Sequence, residues 1–265
     1  MEEYSSAAMG ACVSAVDEAV NDFIDKQSRY YREANNAKKS KKNRRDKNQS
    51  HEIAVLSSEF SPIYPSLPKG AQQFHCTNVY DGDTLTLANG NRVRLLGIDT
   101  PELKEKQEFS QEAKEYTKRY CHGKDIWLSF DDDDNNDNKK DHYGRLLAFI
   151  WVPLNDKQQW LCINEGLVAV GLAHAYSPSK SKKIHNHDKL LMLQKLARKH
   201  KKGQWKAYKD SCVVITPNGG AFHKCKGKSK AESYCKHLSR SKHLTVILAS
   251  DAYDRGCHPC RNCLG

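Results

Sequence analysis

Three short strings hold side chains suited to one kind of chemistry. They are Asp81-Gly82-Asp83-Thr84, Arg94-Leu95-Leu96-Gly97-Ile98-Asp99-Thr100-Pro101-Glu102 and Asp141-His142-Tyr143-Gly144-Arg145. Opening a phosphodiester takes a hard cation on oxygen ligands, a carboxylate that accepts a proton from water, and guanidinium forks for the charge on the phosphoryl oxygens. The strings hold all three ingredients. Singly each is weak, because an Asp-Gly turn occurs in any loop and Arg145 could equally sit in a surface ion pair. The second string carries more weight, since it puts Arg94 on a strand and two acids, three residues apart, where Pro101 ends that strand.

The elements that must position these groups follow from pattern. Phe74–Tyr80 reads as a strand, Thr84–Leu87 alternates, Asn89-Gly90 supplies a tight turn, and Val93–Ile98 returns. Glu108–Tyr120 has helical character. Ile126–Phe130 and Leu146–Val152 read as strands on either side of the acid-rich loop Asp131–Asp141. Leu161–Val170 and Ile184–His200 read as two more helices, the latter with Leu190, Leu193 and Ala197 on one face. Five short strands with interspersed helices predict an α+β domain: a small five-stranded barrel of the oligonucleotide-binding (OB) kind with about three helices. Upstream, Val13, Val16, Val20 and Phe23-Ile24 predict an amphipathic helix over residues 7–31. Pro62, Pro65 and Pro68 argue against regular structure and mark a boundary near residue 70. The expected division is 1–70 (helix and basic linker), 71–208 (barrel) and 209–265 (a separate small Cys/His-rich module).

Charge and cysteine content bound the partners. Lys and Arg number 43 against 32 Asp and Glu, a net +11 that favours a polyanion. The surplus concentrates in the flanks, in residues 33–50 and 206–265. The Lys38–Arg45 run suits a solvated linker, a nucleic-acid arm or a nuclear-localisation-like patch. The Asp131–Asp134 run suits a solvated loop or a loosely held second cation. The chain has no apolar run long enough to span a membrane, and Met1-Glu2-Glu3 lacks the features of a signal peptide, so an intracellular protein is expected. Of ten cysteines, six (Cys212, Cys225, Cys235, Cys257, Cys260, Cys263) crowd the tail, while Cys12, Cys76, Cys121 and Cys162 fall in apolar contexts that suit small core residues. Without export, metal ligation or reduced thiols outweigh a disulfide framework, which stays open as an alternative.

From Phe74 to Lys206 the chain resembles the staphylococcal (micrococcal) nuclease, or thermonuclease, family. The three strings occur in that family's order and approximate spacing. Weaker echoes follow at Phe109–Ala113, Ile163-Asn164-Glu165 and Gly203-Gln204-Trp205. The resemblance implies Ca2+ held by Asp83, Asp99 and the Thr100 carbonyl, and Glu102 as general base or positioner of water. It implies Arg94 and Arg145 on the scissile phosphate, Tyr143 and Tyr176 lining a nucleotide pocket, and Asp81 in a supporting role. His142 stands where the family often has Lys or Arg, so a phosphate contact there would depend on pH. Tyr176 stands where the prototype has two tyrosines. The tail resembles a module appended to some bacterial nucleases, with His223, Cys235 and a closing Gly256-Cys257-His258-Pro259-Cys260-Arg261-Asn262-Cys263 in which Cys257 replaces a Tyr. Its C-x-x-C pair suits tetrahedral Zn2+, with His223, Cys235, Cys260 and Cys263 as the preferred set and Cys225 or Cys257 as substitutes for His223.

The function expected from all this is Ca2+-dependent endonucleolytic hydrolysis of DNA and RNA with little sequence specificity, leaving 3′-phosphate ends, by a monomer. One alternative is a non-catalytic nucleic-acid-binding adaptor. Another makes the tail the functional part, with the barrel as its scaffold.

Overall fold

A computed structural model describes residues 61–131, 140–154, 159–177, 184–227, 235–238, 241 and 243–264. The expected N-terminal helix, the Lys38–Arg45 run, Cys12 and residues 132–134 lie outside these. Five strands close a barrel: β2 (Gln72–Val79), β3 (Thr84–Leu87), β4 (Arg92–Leu95), β6 (Asp125–Ser129) and β7 (Leu146–Leu154). β4 pairs with β3 on one side and runs parallel to β7 on the other, while β6 bonds both β2 and β7 and completes the circle. This is the expected OB-type barrel of the α+β class.

Alternation decides which residues face inward. In β4, Val93 and Leu95 are buried while Arg92 is exposed and Arg94 is half-buried. Val93 and Leu95 join Leu85, Leu87, Ile126, Leu128, Ala148 and Ile150 in one apolar core, and the pleat sends Arg94 to the opposite face. Helix α1 (Ser110–Cys121) buries Ala113, Tyr116, Thr117 and Cys121. Helix α2 (Ile163–Ala169) is buried along nearly its whole length, and α3 (His187–Lys199) turns Leu190, Leu193, Gln194 and Ala197 inward. Cys76, Cys121 and Cys162 are buried, as their apolar contexts suggested.

Three local expectations need correction. Leu161 and Cys162 are not helical; they end strand β8 (Gln159–Cys162), which pairs with β7, so sheet pairing overrides the helical periodicity there. The segment Val93–Ile98 is not one strand. Gly97, at φ 80°, breaks it, and β5 (Ile98–Asp99) leaves the barrel to pair with β9 (His174–Ala175). A side chain at Gly97 would meet Leu190 Cδ1 at 2.6 Å as well as requiring the left-handed conformation. The prolines flank a strand instead of forbidding one: β1 (Ile63–Tyr64) pairs with β8 at the sheet edge, where a proline's missing N–H does no harm.

The tail forms its own four-stranded sheet from β10 (Cys212–Ile215), β11 (Ala221–Lys224), β12 (Thr245–Leu248) and β13 (His258–Pro259), in the order β12-β10-β11-β13. Two short helices, α4 (Ala249–Asp254) and α5 (Arg261–Leu264), accompany it. A second apolar cluster joins Ala197 and Trp205 to Val213, Ile215, Phe222, Ala252 and Tyr253. His174 of β9 lies between two rings of that cluster, edge-on to Trp205 and stacked on Tyr253, both with centroids 5.1 Å away. The described residues include no helix long and apolar enough to cross a membrane.

Candidate active site

The turn before β3 is built by crowding. Gly82 sits so close to helix α1 and to Thr100 that a Cβ would lie 2.7 Å from Ala113 Cβ and 2.8 Å from Thr100 Cγ2. The Gly82 carbonyl accepts a 2.6 Å bond from Thr117 Oγ1 on α1, and Asp81 Oδ1 accepts one from the Asp83 N–H. Asp83 is thereby fixed at 5% exposure. Its Oδ2 accepts from both the backbone N–H and the hydroxyl of Thr100, each at 2.8 Å, and pairs with Arg94 Nη1 at 3.0 Å. Its Oδ1 accepts from Thr84 Oγ1.

Arg94 links the first string to the second. While Nη1 holds Asp83 and donates to the Leu95 carbonyl, Nη2 contacts Asp99 Oδ1 at 2.8 Å. Burial opposes its charge, but Asp83, Asp99 and Asp81 outweigh burial and keep the guanidinium protonated. Asp81 feels the reverse balance: burial, then the Asp83 charge, push its carboxyl up to about 6. Glu102 follows Pro101 in a loop pinned by Gln107, whose side chain accepts from the Glu102 N–H at 2.8 Å.

The third string reaches the same place through Thr84. Asp141 shapes its turn by accepting from the N–H groups of Tyr143 and Arg145, and its other oxygen holds Arg145 Nε at 2.7 Å. Arg145 Nη1 then lies 3.5 Å from Thr84 Oγ1. Tyr143 is 73% exposed beside Arg145, whose guanidinium carbon lies 5.4 Å from the ring centre, and the exposed His142 packs against the same ring. Tyr176 is tied by its N–H to the Gly97 carbonyl and meets the His258 ring edge-on at 4.9 Å.

Asp81, Asp83, Thr100, Arg94, Asp99, Glu102 and Arg145 therefore converge, with Tyr176 beside them and Tyr143 and His142 on an exposed rim. The tail set also assembles: one ligand atom from each of His223, Cys235, Cys260 and Cys263 lies within 4.8 Å of all the others. Cys235 and Cys260 have their sulfurs 3.8 Å apart, far beyond the ~2.0 Å of a disulfide. Among the described residues the cysteines carry no disulfide. Burial, helped by His237 and His258, lowers the pKa of His223 and keeps its ring neutral, the form that binds metal. Cys225 and Cys257 direct their thiols instead at the carbonyls of Gly227 and Gly219.

Several supporting residues were not legible as functional. Asp141 lay inside a recognised string yet signalled no role. Gln107 and Thr117 sit among helix-forming residues with no pattern of their own. Asn164 was one letter of a weak echo. Arg261 of the tail meets both oxygens of Asp99 at 3.1 Å and Glu102 Oε1 at 3.0 Å, across 162 residues of sequence in the first case.

The model of the family described as staphylococcal nuclease homologue matches residues 92–207. A thermonuclease of Staphylococcus hyicus is 32% identical over 143 residues, which cover 51% of this chain and 76% of that protein. The SPbeta prophage-derived endonuclease YokF of Bacillus subtilis is 38% identical over 106 residues, covering 37% of this chain and 33% of its own length. Endonuclease YncB of the same bacterium is 36% identical over 106 residues, covering 37% and 47% respectively. With the barrel, the converging acids and arginines, and a relative matched over three quarters of its length, the chain belongs to the staphylococcal nuclease family of phosphodiester hydrolases.

Proposed function

We propose that the protein is a Ca2+-dependent endonuclease acting on DNA and RNA with little sequence preference and leaving 3′-phosphate ends. One observation carries this reading: Asp83, Asp99, Glu102, Arg94 and Arg145, from three separate strings, meet on one face of the barrel through direct contacts and the Thr84 hydroxyl. The donor set suits a hard divalent cation. Asp81, Asp83, Asp99 and Glu102 outnumber the two guanidinium groups among them, and the raised pKa of Asp81 reports that excess of negative charge. Asp83, Asp99 and the Thr100 carbonyl would hold Ca2+, which when bound neutralises phosphate charge and makes water more acidic.

The chain's own groups do the rest. Arg94 and Arg145 bind the non-bridging oxygens as charge grows on them, and the planar fork suits that geometry. Glu102 accepts a proton from water, whose oxygen bonds to phosphorus. The bond from phosphorus to the 5′ oxygen breaks, that oxygen leaves as a hydroxyl after protonation, and the phosphate stays on the 3′ side. Tyr143, open to solvent, and Tyr176 offer rings on which a base can stack without being identified. A neutral His142 contributes no charge to phosphate binding and a protonated one does. His223, Cys235, Cys260 and Cys263 would hold Zn2+ as a structural ion.

The deciding assay is nicking of a supercoiled plasmid and cleavage of a short oligonucleotide, with Ca2+ and with a calcium chelator. Cutting should require Ca2+, yield ends that become extendable only after phosphatase treatment, and fall by about two to four orders of magnitude in Glu102→Gln. A protein that binds DNA with Ca2+ present but never cuts it would be an adaptor instead. Zinc analysis of the purified protein tests the tail set.

A further inference from the structure

We propose that the tail completes the catalytic centre: Arg261, carried on the turn between Cys260 and Cys263, is a third phosphate-binding arginine that also orients Glu102. This rests on the nuclease reading above, and extends it to a residue outside the barrel.

The geometry is specific. Arg94 and Arg261 both touch Asp99 Oδ1, at 2.8 and 3.1 Å, so a phosphate that reaches one guanidinium is within reach of the other. Going along the site, Arg145 touches Thr84, Thr84 and Arg94 touch Asp83, Arg94 and Arg261 share Asp99, and Arg261 ends on Glu102. Each acid proposed to bind metal or water thus lies next to an arginine. Glu102 stands on a loop, and its carboxylate is met by Arg261.

Arg261 is also placed for a ligand more than for stability. Its side chain is 58% exposed, against 13% for Arg94, and its bonds to Asp99 and Glu102 all come from Nη2, leaving much of the fork open to solvent. Exposed ion pairs add little to folding. The tail docks instead through Trp205, Tyr253 and Phe222, and through Asp254, which pairs with Arg198 and Lys195.

The turn is held on both sides. The Cys260 N–H donates to the Phe222 carbonyl and the Lys224 N–H to Cys263 Sγ, tying it to β11 beside His223. The His258 ring packs on Tyr176. The Cys/His cluster therefore acts as a positioning clamp: whatever fixes the two cysteines fixes the arginine between them.

The test uses the full chain with Arg261→Gln, Arg261→Lys and Cys263→Ser. Binding of a short single-stranded oligonucleotide is followed by anisotropy against salt, in buffer without divalent cations. Turnover is measured with Ca2+, and zinc by elemental analysis. Arg261→Gln should lower the slope of log affinity against log salt by about 0.7, the loss of one phosphate contact on a single strand. It should also reduce kcat at least tenfold while the fold, by circular dichroism, is kept. Arg261→Lys should recover the salt slope but only part of kcat, because an ammonium lacks the fork. Cys263→Ser should lose zinc and reproduce the Arg261→Gln defects, and combining the two should add nothing further. An unchanged salt slope in Arg261→Gln overturns the phosphate contact, and an unchanged or raised kcat overturns its place at the reacting phosphate. Wild-type protein that never cuts would defeat the nuclease reading, while the salt slope would still decide whether Arg261 meets phosphate.

Discussion

Asn164 offers a direct check on how the barrel is held at the site. It is fully buried at the start of helix α2 and bonds only to backbone: Oδ1 accepts from the Ile150 N–H at 2.9 Å, and Nδ2 donates to the carbonyls of Leu96 at 2.8 Å and Ala148 at 3.2 Å. Ala148 and Leu96 belong to the β4–β7 seam, where strands running the same way carry Arg94 and the residues after Arg145. In Asn164→Ala the Ala148 carbonyl keeps its bond from the Leu96 N–H, but the Ile150 N–H and the Leu96 carbonyl lose this partner inside the core. Each buried group left without a partner costs about 1–3 kcal/mol. The expected loss is therefore about 3–5 kcal/mol, a large part of the roughly 5–15 kcal/mol that holds a typical domain together. Urea unfolding followed by circular dichroism measures it as a shifted midpoint at constant slope. Turnover per folded molecule should stay within a few-fold of wild type, because Asn164 touches none of the acids or arginines. A loss below about 1 kcal/mol would refute the reasoning, since it would mean the three bonds are replaced at no cost.

Three further outcomes are expected. Arg94→Lys cannot span Asp83 and Asp99 as Arg94 does, at 3.0 and 2.8 Å, so turnover should fall by about two to three orders of magnitude with folding kept, as single-turnover rates on an oligonucleotide would report. Gly82→Ala forces a methyl to within 2.7 Å of Ala113 Cβ and 2.8 Å of Thr100 Cγ2, so it should cost about 1–3 kcal/mol in thermal unfolding and raise the Ca2+ concentration needed for activity, because Thr100 carries Asp83. His174 has its pKa lowered to about 4, chiefly by burial. The unfolded chain therefore binds the extra proton first, and the contribution is complete above about pH 6.5 and shrinks as pH falls toward 4, by up to about 3 kcal/mol. Unfolding free energies measured across that window should show this fall in the wild type and a flatter profile in His174→Gln.

Local features made the barrel legible. Strict alternation in Thr84–Leu87, the Asn89-Gly90 turn, and the three- and four-residue spacing of Leu190, Leu193 and Ala197 each encode an element within a dozen residues of sequence. The candidate site was legible for the same reason: its acids and arginines lie in short strings beside strand ends. What escaped was decided at long range. Leu161 and Cys162 extend because β7 offers a partner, not because their own pattern asks for a strand. Residues 63–64 pair with β8 although prolines surround them. Arg261 looks like any surface arginine in a basic tail, and only the packing of Tyr253, Trp205 and His174 brings it to Asp99.

The pleat of β4 has a consequence for how such a chain can vary in length. Arg94 reaches Asp83 and Asp99 only because it is out of phase with Val93 and Leu95, which face the core. Replacing a residue in this strand alters one position. Inserting or deleting one between Val93 and Asp99 reverses the parity of all that follows, driving a guanidinium toward the apolar interior or turning leucines out to water. The segment should thus accept spelling changes far more readily than frame changes. Length polymorphism should collect in the hairpin loop around Asn89-Gly90 and in the connections that carry neither acid nor arginine of the site.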